Sequence, residues 1–417
     1  MKKINLLIVL LTVFLCIQAQ TQENSKWKYI GPDGGSINAF HFNPQNADEC
    51  FSIGNIDRGY IYTSNNGGKS WIFLHEFPTK ISDFVIDPID PNIIYVLGEE
   101  SIYKTTDKGL TWSERPLQNN VIATKGKVVI DSINPYMIYV IGEDKNNNAI
   151  ASILRSTDGA ETWTRHKLFE GSIPLHGFHI AMSPSNPAVL YSVVSRYNVE
   201  LFTYKCRVFK TIDGGNNWQE LPKEFQAAVN AVLIDPIDPD KVYLGTYWNV
   251  YRSSDGGQNW LENEDYVYAN ALSVDPVNPN FMYAGYENCL YKSEDGGIHW
   301  EKFECNQIGL CQDLVCQAQG VFYASDTGIY KSQDGGSTWT SRHEGISELR
   351  MLNISVSNSP PYRIYAMPDS AYHIYKSDDF GKTWQISMCI PGCGEFICLE
   401  GSSNSADHLF AAAHGGG

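Results

Sequence analysis

The chain has 417 residues, of which 43% are hydrophobic, 12% aromatic and 19% charged, with 35 glycines and a formal net charge of −16. That apolar share suits a globular fold, and an acidic chain without basic clusters argues against nucleic acid and anionic membrane surfaces as partners.

Residues 1–19 read as a secretory leader. Lys2 and Lys3 form its charged end, residues 6–16 form an apolar run too short to span a bilayer, and Ala19 is a plausible cleavage site. Phe14 and Leu15 stand where small residues would be expected before a lipidated cysteine, so Cys16 is a poor lipoprotein acceptor. No later apolar run is long enough to span a membrane. The expected product is soluble, exported, monomeric and secreted, cell-surface or periplasmic. Residues 27–31, Trp-Lys-Tyr-Ile-Gly, read as an outer strand with no unit before it. Such a strand is expected to pair into the last unit and so close a ring.

The stretch Ser332-Gln333-Asp334-Gly335-Gly336-Ser337-Thr338-Trp339 follows the pattern S-x-D-x-G-x-T-W, and it recurs. Copies run 64–71, 105–112, 156–163, 211–218, 253–260, 293–300, 332–339 and 377–384. Asn66 replaces the Asp, Ala160 the Gly, and Asn217, Asn259 and His299 the Thr. Each position has a mechanical reason. An Asp or Asn bonds its own backbone ahead and closes a turn. Glycine supplies the positive φ that such a turn needs. The Trp opens the next strand as a large apolar anchor. Asn66, Asp107, Asp158, Asp213, Asp255, Asp295, Asp334 and Asp379 are therefore read as turn-formers rather than catalytic acids.

The box tryptophans are 41, 51, 55, 42, 40, 39 and 45 residues apart, a period that indicates four-stranded propeller blades. In one unit, residues 271–275 alternate as an inner strand, 276–279 turn, 281–284 and 290–293 form the next strands, and the fourth starts at Trp300. The turn D-P-x-[DN]-P recurs at 87–91, 235–239 and 275–279, where proline fixes φ and stops the strand. Residues 396–401 and 408–413 look like the first two strands of a ninth unit, which implies a chain cut short of its natural end. The expected fold is all-β: a propeller of about eight blades plus a partial ninth, occupying residues 20–417.

Nine cysteines remain after the leader, six of them in two triplets that each start five residues after a box Trp. These are Cys305, Cys311 and Cys316, and Cys389, Cys393 and Cys398. In an exported chain they read as disulfide-forming, with Cys305–Cys311 and Cys389–Cys393 as loop staples, though connectivity is open. Their irregular spacing without interleaved histidine argues against a metal site. No metal or other cofactor is expected.

The box repeat resembles the Asp-box, or bacterial neuraminidase, repeat. The resemblance covers nearly the whole chain after the leader, and it implies a β-propeller with the box between the third and fourth strands of each blade, away from the ligand-binding face. The repeat occurs in sialidases, xyloglucan-cleaving endoglucanases, sortilin-type receptor domains and photosystem II assembly-factor propellers, so fold alone does not choose among activities. Function is then sought on the opposite face, in the loops between second and third strands and in the blade-to-blade connections. The ligand-binding candidates there are Asp57, Arg58, Glu99, Arg196, Tyr197, Tyr247, Trp248, Glu287, Asp369 and His373. The same loops include the stretch 143–148, Tyr286 and Asp326, and the connections include His176, Asp265 and Tyr266. Trp248 stands outside the box and terminal-strand pattern, and a Trp among tyrosines, carboxylates and amides suits a sugar ring or an amphipathic protein surface.

A sialidase would carry an F/Y-R-I-P motif, and here Tyr362-Arg363-Ile364 runs on to Tyr365. The xyloglucan-cleaving enzymes match better. Asp57-Arg58-Gly59-Tyr60-Ile61-Tyr62 is similar to their first-blade D-x-G-G-x-Y segment, with Tyr60 in place of the second glycine. That resemblance would make Asp57 one catalytic carboxylate, its partner lying in a second propeller. The expected function is a non-catalytic module binding an extracellular glycan or protein. A glycoside hydrolase using Asp57 is the alternative.

Overall fold

Each repeat unit folds as four antiparallel strands paired in chain order, from an inner strand outward. The computed structural model describes residues 36–413 apart from 56–57, 119, 172–174, 199–201, 288, 305–308, 318–319, 343–350, 357–362, 369–372, 379–383, 390–395 and 402–408. The leader and the 27–31 segment lie outside the described residues.

Burial follows position in the blade. The second strand is covered on both faces by its neighbours, so Ile94–Gly98 and Val242–Thr246 are buried at every residue. Their continuous Ile-Tyr-Val-Leu and Val-Tyr-Leu runs, rather than strict alternation, follow from that two-sided cover. The outer strands Gln219–Glu220, Leu261–Glu262 and Thr340–Ser341 are short and exposed. Short polar edges of this kind discourage pairing with another chain.

Seven blades form a closed β-propeller, spanning 37–77, 81–116, 121–170, 175–220, 229–262, 271–304 and 311–341. The core is divided among the interfaces between blades. One apolar cluster sits at each junction, for instance Tyr95, Leu97, Ile138 and Trp163 between blades two and three. The cluster that joins blade seven to blade one holds Phe40, Tyr62, Trp71, Phe322 and Ile329. There Phe40 stacks on Phe322 with centroids 5.4 Å apart, and Trp71 Nε1 donates to the Arg342 carbonyl at 2.6 Å. Inner strands of adjacent blades are also tied by side chains. Phe40 N donates to Asp313 Oδ2 at 3.0 Å, Val128 N to Asp83 Oδ2 at 3.0 Å and Cys316 N to Ser273 Oγ at 2.8 Å.

Two sequence expectations are corrected here, the blade count and the reading of Cys316 as disulfide-forming. The ring holds seven blades, not eight. An eighth four-stranded sheet, 351–389, follows it, and its inner strand Met351–Val356 packs against Phe396–Gly401 of a two-stranded sheet instead of against blade one. Blade seven supplies all four of its own strands, and the expected pairing of residues 27–31 lies outside the described residues. Finally, Cys311 and Cys316 are not joined to each other. They lie five positions apart on the extended strand Cys311–Gln317, roughly 16 Å along the strand and beyond disulfide reach. Cys50, Cys206, Cys289 and Cys316 are free thiols. Cys305, Cys393 and the side chains of Cys389 and Cys398 lie outside the described residues, so the two loop staples do too.

Candidate functional site

The two faces of the ring are chemically different. On one, the first six boxes bond back to the end of the hairpin between the first and second strands of their own blade, as in Gly159 N to Tyr136 O and Gly256 N to Asp240 O, both backbone bonds. Within the box, the Ser or Thr hydroxyl donates to Oδ1 of the Asp or Asn two ahead at 2.7–2.9 Å. That same Oδ1 accepts the backbone N–H four residues on at 2.8–3.0 Å. Two consecutive residues then take positive φ, such as Gly335 at 72° and Gly336 at 105°. Ala160 at 71° and Lys108 at 58° hold this conformation without being glycine. These bonds, led by those from Thr111, Thr162, Asn217, Asn259 and Thr338, hold the carboxyls of Asp107, Asp158, Asp213, Asp255 and Asp334 down to about 2. A carboxylate bound on both oxygens and ionised throughout the working pH range closes a turn and does not trade protons. In the seven described boxes the Asp or Asn side chain thus closes the turn on its own backbone. Asp379 lies outside the described residues.

The opposite, open face carries the loops between second and third strands. Blades three and four reach furthest there, with second and third strands of 7 and 10 residues (Ile138–Asp144, Asn147–Ser156) and 9 and 9 residues (Leu190–Asn198, Thr203–Thr211). These extended hairpins absorb the 51- and 55-residue box intervals.

Aromatic side chains gather on this face over blades four to six. On blade four, Tyr197 and Tyr204 meet with centroids 4.6 Å apart, and His176 packs edge-on to Tyr204 at 5.1 Å. On blades five and six, Tyr247 meets Tyr286 at 5.9 Å, Tyr286 meets Tyr268 at 5.2 Å, and Tyr268 meets Trp248 at 6.3 Å. Tyr204 and Tyr247 are near enough to influence each other electrostatically, which links the two groups. Trp248 is 64% exposed and Tyr247 40%, so ring faces remain open to solvent. Burial, helped by Glu287, pushes the Tyr286 phenol up to about 12. Burial also raises the Tyr204 phenol. Burial and the Lys125 charge lower the His176 imidazole, leaving it neutral. Tyr197, Tyr247, Trp248 and Glu287 are thus brought together. Tyr204 and Tyr268 complete the strip and were missed by the sequence reading, because each sits just outside the loop windows chosen there.

The remaining candidates are scattered. Arg196 lies over the Phe169 ring at 4.6 Å and pairs with Glu224 at 3.4 Å, bracing the blade-four hairpin. Arg58 pairs with Glu76 at 2.8 Å on blade one. Glu99 is exposed on blade two, where its carbonyl accepts Ala123 N at 2.7 Å. Asp265 turns toward the box of blade six, where its Oδ2 accepts Trp300 N at 3.0 Å. Asp57, Asp369 and the His373 side chain lie outside the described residues. Asp326 on blade seven is 8% exposed, accepts Leu310 N at 2.7 Å, and is pushed by burial up to about 6. Among the described residues no group of three or more His, Cys, Asp or Glu could hold a metal ion, and no helix is long and apolar enough to cross a membrane.

Comparison with known proteins agrees with this architecture. The family model for "Sortilin, neurotensin receptor 3" matches residues 59–172, and the BNR-Asp box repeat model matches 374–386. No curated protein matches the chain. Among solved structures, an ancestral GH74 enzyme is similar with a TM-score of 0.67 at 14% identity, over 90% of this chain and 57% of that one. This chain thus spans little more than half the length of that enzyme. YCF48 bound to D1 peptide is similar with a TM-score of 0.52 at 15% identity, over 74% of this chain and 94% of that one. YCF48 from Cyanidioschyzon merolae gives 0.52 at 12% identity, over 73% and 97%. At these identities the likeness concerns the fold.

Proposed function

We propose that this Asp-box β-propeller is a non-catalytic binding module whose open face takes an extended chain, a glycan or a peptide strand, across blades four to six. The observation that carries the reading is the aromatic strip from His176 to Trp248, with exposed rings at Trp248 and Tyr247. Exposed tyrosine and tryptophan faces offer large contact area at low entropic cost, and such residues dominate binding energy where they cluster. A neighbour of the same fold is in keeping with it, a propeller bound to a peptide. The leader-like start supports a location outside the cytoplasm for the module.

A screen of the secreted chain against a glycan array and a peptide library tests this. Trp248→Ala and Tyr268→Ala are expected to abolish binding while the fold is kept. Binding that both variants retain would refute the reading. A second reading is a glycoside hydrolase with Asp57 as one of two carboxylates, favoured by the 57–62 segment. Polysaccharide hydrolysis that disappears in Asp57→Asn would establish it, and no turnover across the same polysaccharides would remove it.

A further inference from the structure

Blade three departs from the repeat at the open-face end of its inner strand. In blades one, two, four, five and seven a single residue is bulged there, as between Ile81 and Asp83. In blade three Ile122 pairs with Glu143 and the next pair is Lys127 with Ile141, so residues 123–126 stand opposite Gly142 alone. Two glycines permit the close approach. A Cβ on Gly142 would lie 2.2 Å from the Ile122 carbonyl oxygen, and one on Gly126 would lie 2.6 Å from that of Ile141. A bulge re-aims side chains, and this one presents Lys125 and Glu143 on the open face. Lys125 Nζ donates to the His176 carbonyl at 3.3 Å, which joins the bulge to the blade-four end of the aromatic strip.

Glu143 is half-buried, yet its carboxylate takes part in no hydrogen bond or ion pair among the described residues. Three acidic neighbours are engaged: Asp144 by Arg165 at 2.8 Å, Glu100 by Lys145 at 2.7 Å, and Glu224 by Arg196, Lys205 and Arg207. Burial raises the Glu143 carboxyl, and the Lys125 charge opposes this only in part. A half-buried carboxylate left without a donor is poised to receive one from a ligand.

The geometry points to a subsite for a neutral sugar residue, in which Glu143 accepts from two adjacent hydroxyls, Lys125 donates to a further sugar oxygen, and the ring lies against the His176, Tyr197 and Tyr204 group. This rests on the open-face reading above and names the ligand at one end of it. The two charges are of opposite sign and His176 is neutral, so the subsite carries no net charge. An anionic sugar would meet Glu143 and a cationic side chain would meet Lys125, each with an unfavourable charge to desolvate.

Calorimetry on the full chain tests this, with gluco-, xylo-, manno- and galacto-oligosaccharides as neutral probes and oligomers of glucuronic acid and an oligolysine peptide as charged ones. At least one neutral oligosaccharide is expected to bind, with charged probes at least tenfold weaker. Glu143→Gln is expected to weaken it by about tenfold or more, the effect of losing charge-assisted hydrogen bonds. Glu294→Gln on the box face should leave affinity unchanged. If Glu143→Gln fails to fold, Glu143→Asp keeps the charge but withdraws the carboxylate by one methylene, and it should also weaken binding. Wild-type affinity in the folded Glu143 variant, with loss in Trp248→Ala, overturns the subsite and spares the open-face reading. Failure to bind any neutral oligosaccharide, or preference for a charged probe, overturns the subsite as well. Binding retained in both Trp248→Ala and Tyr268→Ala overturns the open-face reading and the subsite that rests on it.

Discussion

The box face and the open face are built from the same seven blades and answer to different demands. On the box face the seven described boxes repeat one hydrogen-bond scheme, in which the Ser or Thr hydroxyl and the backbone four residues on both bond the Asp or Asn side chain. On the open face the loops differ from blade to blade, rings are left exposed, and Glu143 has no donor among the described residues. Repetition marks the part that holds the ring together. Departure from repetition, in the long hairpins of blades three and four and the enlarged bulge, marks the part free to bind.

The sharpest way to break this contrast is at the ring closure. Phe40 is 1% exposed and packs on Phe42, Trp71 and Phe322. Phe40→Ala should cost about 3–5 kcal/mol in chemical denaturation, since the cavity cannot collapse between two sheets. Loss below 1 kcal/mol would show that the ring does not depend on this junction.

The faces should also respond to acid with opposite sign. Asp326 on the open face has its carboxyl raised to about 6. A raised carboxyl means the folded state binds the proton more tightly than the unfolded chain, so its contribution to stability increases as pH falls from about 6 to 4. The change amounts to at most about 3 kcal/mol. The box carboxyls, lowered to about 2, contribute stability above pH 4 that is lost as pH falls toward 2. Unfolding curves of Asp326→Asn and Asp334→Asn against wild type separate the two. The first should differ in slope between pH 4 and 6, the second only below pH 4.

Within a box, Ser332→Ala removes a fully buried hydroxyl that bonds Asp334 Oδ1 at 2.8 Å and accepts Gly336 N at 2.7 Å. The N–H left unpaired should cost about 1–3 kcal/mol by thermal denaturation. Ala160→Gly works in the other direction. It relieves a left-handed alanine, and a gain of about 1 kcal/mol or less is expected, because glycine also loosens the unfolded chain. At the small end, Trp248→Ala should change stability by no more than about 0.5 kcal/mol, as an exposed side chain does, while removing binding. A large stability loss there would erase the distinction between the faces.

Much of the fold was legible because its cause is local. The Ser-x-Asp-x-Gly-x-Thr-Trp turn closes on itself within eight residues, so its chemistry could be read without knowing what surrounds it. The period between box tryptophans then implied four strands per blade. The blade count was not legible, because an eighth repeat looks the same in sequence whether it joins the ring or follows it. The site was partly legible. Trp248 stood out by breaking the pattern, and the long box intervals of blades three and four held a signal that loop windows alone did not use. Glu143 gave no such sign, since its isolation depends on which neighbouring acids find partners.

The amino-acid sequence by itself determined the repeat, the turn chemistry of the boxes and the four-stranded unit, all set by interactions spanning a few residues. The tertiary structure alone decided that the ring closes at seven, since closure depends on how blades tilt and pack Phe40 against Phe322 across the chain. It also decided which open-face side chains meet. Tyr204, Tyr247, Tyr268 and Tyr286 come from three blades, and only the curvature of the ring brings their rings together.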